Sequence, residues 1–316
     1  VKVRLEEDLD RSEILDFAAS SPQATFFHTP AWMEALSISF PRFRPRWITA
    51  RDAGALVGLM PLVDVSKGFF RSTYALPFGT YGDPLARSVA IRDRIFEAFV
   101  ERSRAASSLE AVATLFHSEG GVDVPAGADV KREECRLIHL EEGFEEFRRR
   151  SMSQKRRQLF NKSERAGVEI RMLESENELE EFYRIYSDAS KRWGGVHPYP
   201  YRFFMELYAR RDEGVVVWGG FLGNRLLGGH IDLYFGEMAQ AWQAGMSRES
   251  HQYGVGALLV TYAVQEACRK GARIFNLGSS GGDRGLIFFK ESMGGREHCF
   301  PVVRMRKRWW GWIRAR

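Results

Sequence analysis

The sequence predicts an α/β fold with mixed (α+β type) sheets, laid down twice in tandem. Three observations carry this reading. The chain has 316 residues, comfortable for two domains of roughly 150 each. Segments that alternate like strands are interleaved with segments of helical period in both halves. The two halves also present nearly the same order of elements, as duplication followed by divergence would leave. With 44% hydrophobic and 28% charged residues, the composition is that of a globular protein and excludes a disordered or fibrous one.

The second half gives the cleaner signals. Val168 to Leu173 alternates as a strand, and Ser175 then caps a helix reaching about Trp193, with Glu178 completing a capping box. Gly194-Gly195 ends it, and a second helix runs from Tyr201 to Arg211 after Pro198 and Pro200. Three strands follow at Gly214 to Leu222, Leu226 to Phe235 and Glu237 to Gly245, with Gly223-Asn224 as a hairpin turn between the first two. A long apolar-periodic helix from Gly254 to Lys270 stops at Gly271; a strand (Arg273 to Leu277), a short helix (Gly285 to Met293) and a last strand (Cys299 to Met305) complete the half.

The first half repeats much of this: a strand at Val1 to Leu5, helices at Asp10 to Ser20 and Pro30 to Phe40, and strands at Arg46 to Arg51, Ala55 to Val65 and Thr73 to Phe78. A helix from Val89 to Ala106 and strands at Leu109 to Phe116 and Arg136 to Leu140 close it. The expected domains are therefore 1–143 and 144–316, the second opening on a helical segment, 144–166, dense in Arg and Lys. Gly120 to Gly127 reads as a surface loop.

No apolar run approaches the roughly 20 residues that span a bilayer, and the first ten residues lack the apolar core of a secretory signal, which predicts a cytoplasmic address. The sequence starts at Val1 without a methionine, which leaves room for an upstream segment. Cys135, Cys268 and Cys299 form no CxxC pair and the seven histidines no HExxH, so neither a disulfide framework nor a metal site is expected. A net charge of +5 and a pI near 9.1 suit anionic ligands such as coenzyme A, sugar nucleotides or RNA without choosing among them.

The strongest local feature is His251-Gln252-Tyr253-Gly254-Val255-Gly256-Ala257, between a strand and a long helix. Glycines there let backbone approach a pyrophosphate, and the N–H groups and positive dipole of a helix start hold it. The order of elements and this junction resemble the acetyltransferase-type (GNAT) fold, with His251 where Arg or Gln is usual. On that resemblance His251, Gln252, Gly254, Gly256 and Ala257 bind the donor, an acyl-CoA such as acetyl-CoA acting as cosubstrate, with no permanently bound cofactor; an ordinary tight loop would use the same glycines. The matching junction of the first half, Pro84 to Ser88, lacks them, so that copy is expected to be donor-free.

Further stretches resemble the Fem-type double-GNAT family: Phe27 to Leu36, Leu76-Pro77-Phe78-Gly79-Thr80-Tyr81-Gly82, Ser153 to Val168, and Asn276-Leu277-Gly278-Ser279 followed by Gly285 to Lys290 and Gly294-Gly295. That family includes enzymes that build peptidoglycan bridges from aminoacyl-tRNA and acetyltransferases of envelope polysaccharide systems. Asp83 departs from an expected glycine, and a coiled-coil arm found in some tRNA-using members is missing. The resemblance puts Lys290 in the donor channel, where a fixed cation stabilises the oxyanion formed as an amine attacks a carbonyl, with Phe289 beside it against substrate and Asn276 on the donor side; a solvated helix lysine is the plainer alternative.

His230 and Asp232, two apart on one strand, offer a general base or a structural pair. Trp193, Tyr199 and Tyr201 lie in the segment that overlies the acceptor in GNAT folds, as ligand contacts or as a packed lid. The helix around Lys155, Arg156, Arg157, Lys162 and Arg165 reads as a solvated linker, or as an anion-binding face. The tail from Arg304 to Arg316 carries six basic residues with Trp309, Trp310 and Trp312, a mixture suited to peripheral contact with an anionic membrane at its inner face. The functional expectation is an acyltransferase acting on an amine or hydroxyl of a glycan, peptide or other small envelope precursor. Aminoacyl-tRNA-dependent transfer and a catalytically silent partner-binding scaffold are the alternatives, and DNA is not an expected partner.

Overall fold

The computed structural model describes residues 1–105, 107–117, 124–192 and 198–306, the side chains of Lys67 and Glu164 excepted. In chain order the elements are β1 (Lys2–Glu6), α1 (Arg11–Ala19), α2 (Pro30–Ser39), β2 (Phe43–Asp52), β3 (Ala55–Lys67), β4 (Phe70–Ala75), β5 (Leu85–Ala86), α3 (Val89–Arg104), β6 (Ser108–Thr114) and β7 (Asp129–His139). There follow α4 (Gly143–Glu146), α5 (Gln154–Arg165), β8 (Val168–Met172), α6 (Glu176–Ser190), α7 (Tyr201–Tyr208), β9 (Val215–Leu222), β10 (Arg225–Phe235), β11 (Met238–Met246), α8 (Val255–Arg269), β12 (Ile274–Asn276), α9 (Arg284–Ser292) and β13 (Arg296–Arg306).

Two compact units form, one from Val1–Glu133 with the chain from Cys299 onward, the other from Glu134–His298. This corrects the expected boundary at residue 143. The strand expected to close the first half pairs through Leu137, Ile138 and His139 with β12 in the second unit. The strand expected to close the second half pairs through Val302 to Arg306 with β6 in the first. Each half thus contributes its late strand to the other unit, and hydropathy patterning carries no information on partner choice.

In the first unit the strands run β1-β2-β3-β4-β6-β13, with β5 on β3. All described pairs are antiparallel except β4 with β6. Ile48, Leu62, Phe96 and Phe99 form part of the core between this sheet and α3. Beyond Ala75 and Thr114 the parallel pair ends, and the chain itself crosses the opening: Gly82 N donates to Thr114 O, and a Cβ at Gly82 would lie 2.1 Å from Ala75 O. Asp83, the departure noted in the sequence, accepts from the N–H groups of Phe116 and His117, both at 2.9 Å. Leu76 and Phe78 take positive φ in this crossing segment, strain that surrounding packing must hold.

The second unit has the order β7-β12-β11-β10-β9-β8, again with one parallel pair, β11 with β12. Its core under α8 gathers Trp218, Leu227, Tyr234, Leu258, Val264 and Phe275. Ser175 caps α6 by accepting from Glu178 N at 3.3 Å. The Glu178 carboxylate, however, accepts from Glu174 N at 2.8 Å and binds Arg171, one residue earlier than the capping box expected.

Candidate functional site

In the second unit β11 and β12 part. β12 matches β11 only through Met238, Ala239 and Gln240. Beyond Gln240 the described register between β11 and β12 stops, and a bulge shifts the register of β11 with β10 at Trp242. Bulges re-aim side chains and free backbone polar groups. Asn276 begins the parting: its Oδ1 accepts from Gly278 N at 2.8 Å, turning the chain away from β11.

Lys290 stands at the closed end of this opening. It is buried, and its Nζ donates to Gly278 O at 2.9 Å and Ser279 O at 2.7 Å. Burial pushes its ammonium down to about 8, with Cys135 opposing the fall and Arg136 adding to it. The reading of Lys290 as a solvated helix lysine is therefore excluded. Asp283 caps α9 by accepting from Gly285 N and Leu286 N, which fixes the helix that carries it. Phe289, one residue earlier, packs on the core and lies under the Arg156 guanidinium, 4.8 Å from ring centroid.

At the other end, a 3₁₀ turn over Glu249–Tyr253 ends at Gly254, in the left-handed region at φ +60°, from which α8 starts. Ala257 N is already bonded to Gly254 O at 2.9 Å, so the first-turn N–H groups without an intrahelical acceptor are those of Val255 and Gly256. Gly256 is open: the nearest atom to a Cβ there is Met246 Cε at 3.9 Å. Gly254 is covered, since a Cβ would meet Leu159 of α5 at 2.6 Å. His251 and Gln252 are exposed. Beside Met246 a cavity of about 420 Å³ is lined by Lys191, Arg192 and Arg248 against Asp188; Arg192 is held by donation to Met246 O.

Lys290 and the glycines accordingly do not face each other across a crevice. They bracket the stretch of β11 beyond Gln240, with Gly278 beside Ala241 and Gly256 beside Met246, five residues or roughly 17 Å of strand apart.

Tyr199 is brought to this edge. It stacks on Trp242 at 5.1 Å, its N–H donates to Tyr186 Oη and its carbonyl accepts from Tyr183 Oη, while Tyr201 lies against Tyr183. Trp193 lies outside the described residues, as do Trp309, Trp310 and Trp312. Nothing in the pattern of Met238 to Met246 marked Trp242, because small and buried residues on both faces leave the bulge without a phase signal.

His230 and Asp232 do not share this position. Their face of β10 also carries Tyr234, whose hydroxyl donates to Ala263 O of α8, so the pair looks into the core under α8, as a structural pair would. Nδ1 of His230 is 3.2 Å from Asp232 Oδ1. Burial raises the Asp232 carboxyl, with His230 and Trp218 opposing. Gly229 and Gly245, by contrast, meet Phe182 and Tyr186 of α6, the side on which Tyr199 lies.

The basic helix α5 is no solvated linker. Arg157 donates to Arg149 O at 2.8 Å and to Met152 O, Arg156 to Ser292 Oγ at 2.8 Å, and Ser163 to Tyr253 O. Lys155, Lys162 and Arg165 stay exposed. Among the described residues no helix is long and apolar enough to cross a membrane, and no cluster of three or more His, Cys, Asp or Glu converges on a metal position.

Residues 146–286 match the family model of the acetyltransferase (GNAT) domain. The matched residues lie within the second unit. The whole chain has the double-GNAT fold of Fem type. It is similar to FemX (11% identity, TM-score 0.71, covering 95% of this chain and 97% of that one). It is also similar to L-PGS from Bacillus licheniformis (14%, 0.62, 98% and 96%), and to a tandem GNAT protein of the clavulanic acid biosynthesis pathway (13%, 0.54, 96% and 98%). No curated protein matches the sequence.

Proposed function

We propose that the chain transfers an acyl group from acyl-CoA to an amine, less readily a hydroxyl, of a cell-envelope precursor or polysaccharide. The observation that carries this is the stretch of β11 beyond Gln240, bracketed by the Gly256 helix start and the Lys290 ammonium. The donor's anionic end meets the N–H groups of Val255 and Gly256 and the basic cavity beside Met246; its acyl end lies along β11 towards Ala241. The acceptor nitrogen attacks the carbonyl carbon, a C–N bond forms, and the oxyanion is stabilised by the Lys290 charge. The C–S bond then breaks, and the proton shed by nitrogen leaves with the thiol. An amine arriving neutral needs no buried side-chain base, and His230 with Asp232 then serves the core beneath α8.

Acetyl-CoA is expected to raise the melting temperature, by about 2.7 kcal/mol of linkage at a hundredfold excess over Kd, with uncharged and charged tRNA producing no shift. A shift with charged tRNA alone would replace this donor by the alternative of the Fem resemblance, aminoacyl-tRNA. One observation favours that second reading: Leu159 packs closely on Gly254, where a Cβ would lie 2.6 Å from it, which leaves less room for a diphosphate there. FemX and L-PGS as whole-chain likenesses are compatible with either donor.

Tyr199 and Trp242 form the acceptor wall in this reading. Tyr199→Ala should raise KM for the acceptor about tenfold or more, the loss of one stacked ring in a binding site, with the donor KM unchanged. Equal effects on both KM values would remove Tyr199 from the acceptor side.

A further inference from the structure

The first unit holds a cluster of charges that the transfer reaction does not use. Asp64 on β3 is buried and serves three partners: Thr73 Oγ1 donates to it at 2.7 Å, Arg102 of α3 pairs with its Oδ2, and Arg46 of β2 approaches the same oxygen at 3.4 Å. Arg46 also pairs with Glu7 at 2.7 Å. Arg71, at the start of β4, is the third arginine of the group. Its side chain makes no hydrogen bond or ion pair among the described residues, and its Nε is buried without an acceptor. Nε of Arg46 and of Arg102 are likewise buried without a hydrogen bond.

Three guanidiniums thus stand around one carboxylate, with Glu7 engaged only at the rim. A half-buried arginine with like charges beside it and no ion-pair partner among the described residues is unfavourable in isolation. Arg71 is held below its ordinary value by burial and then by Arg102, with Asp64 opposing and Arg46 adding to the fall. Its backbone is fixed, since Arg71 N donates to Ser107 O at 3.0 Å, so the side chain cannot leave the cluster by moving its strand. A tetrahedral oxyanion would supply the missing acceptors and balance the charge, because guanidinium forks match phosphate geometry.

We infer that Arg71, with Arg46 and Arg102, binds the phosphate group of a phosphomonoester in the first unit, at a site separate from the transfer site of the second. Asp64 orients Arg46 and Arg102 and keeps the ligand-free cluster from carrying the full charge of three cations.

The test uses the full chain, with inorganic phosphate as probe against chloride at equal ionic strength, read by calorimetry and by thermal unfolding. Wild type is expected to bind phosphate and to melt higher in it. Arg71→Ala should bind at least about tenfold more weakly, the loss of a charge-assisted hydrogen bond. In phosphate-free buffer the same variant should melt at or above the wild-type temperature, since an uncompensated charge has been removed. A soluble sugar phosphate and vesicles containing phosphatidic acid then identify the source of the phosphate, binding to either supporting the site. Absence of phosphate binding by wild type overturns the inference. So does an Arg71→Ala protein that melts lower without phosphate and keeps its phosphate affinity, which would make Arg71 a structural residue. Arg71→Lys, retaining charge without the fork, should recover part of the binding and gives a second reading if the alanine variant folds poorly. Acetyl-CoA binding at the second unit should be unchanged throughout, so failure here leaves the transfer reading standing.

Discussion

Replacing Lys290 by methionine should lower kcat by about 10²- to 10³-fold, the scale on which a single oxyanion-stabilising group acts, while donor affinity changes little. Methionine matches the stem in length and leaves only the charge missing. Because burial pushes the ammonium down to about 8, the wild-type rate should fall as pH rises through that value, and Lys290→Arg should move the fall to higher pH. Stability provides an independent check on the same group. Its folded value lies below the unfolded one, about 10.4. Between about 8 and 10.4 the unfolded chain holds a proton that the folded chain has released, so the contribution of Lys290 to stability increases with pH across that window. Below it the folded chain carries a buried ammonium, held by the carbonyls of Gly278 and Ser279. Melting curves of wild type and Lys290→Met should therefore separate in favour of wild type from pH 8 upward. A wild-type rate that stays level to pH 10, with an active methionine variant, would leave Lys290 as a loop clamp.

The parts of this site differ in how legible they were in the sequence, and the reason is the range of the interactions involved. Helix starts are local: Ser175 and Pro30 mark α6 and α2 within a few residues of where they begin. The Gly254 turn is local as well, since its left-handed φ needs glycine whatever binds nearby. The exchange of closing strands is a choice of partner, and alternation tells which residues face a core without telling which sheet receives them. The arginines of α5 show the same limit. Arg156 and Arg157 looked like surface charge because their acceptors, Ser292 Oγ and the carbonyls of residues 149 and 152, are backbone or small polar groups with no charge to signal them. His230 and Asp232 share a face, as their spacing requires, but spacing does not say which of the two helical layers that face meets.

Gly256 provides the sharpest separation of fold from function. It lies in the first turn of α8, with ample room around it, so the fold gains nothing from the missing side chain. Alanine there should stabilise the helix by about 0.5–1 kcal/mol and raise the melting temperature slightly. In the proposed mode of binding the same methyl group would stand where the donor's diphosphate approaches the N–H of Gly256, and a displacement of that ligand by even one ångström weakens each charge-assisted bond it makes. Gly256→Ala is thus expected to be more stable than wild type and to bind acetyl-CoA tenfold to a hundredfold more weakly, the loss of roughly 1.4–2.8 kcal/mol. Gly254→Ala provides the contrast: it meets Leu159 at 2.6 Å and must hold φ +60°, so it should lose stability first, and Leu159→Ala should restore the part due to overlap. If Gly256→Ala is stabilised yet binds the donor as wild type does, the start of α8 is a helix cap alone, and the anionic end of the donor must be sought elsewhere along β11.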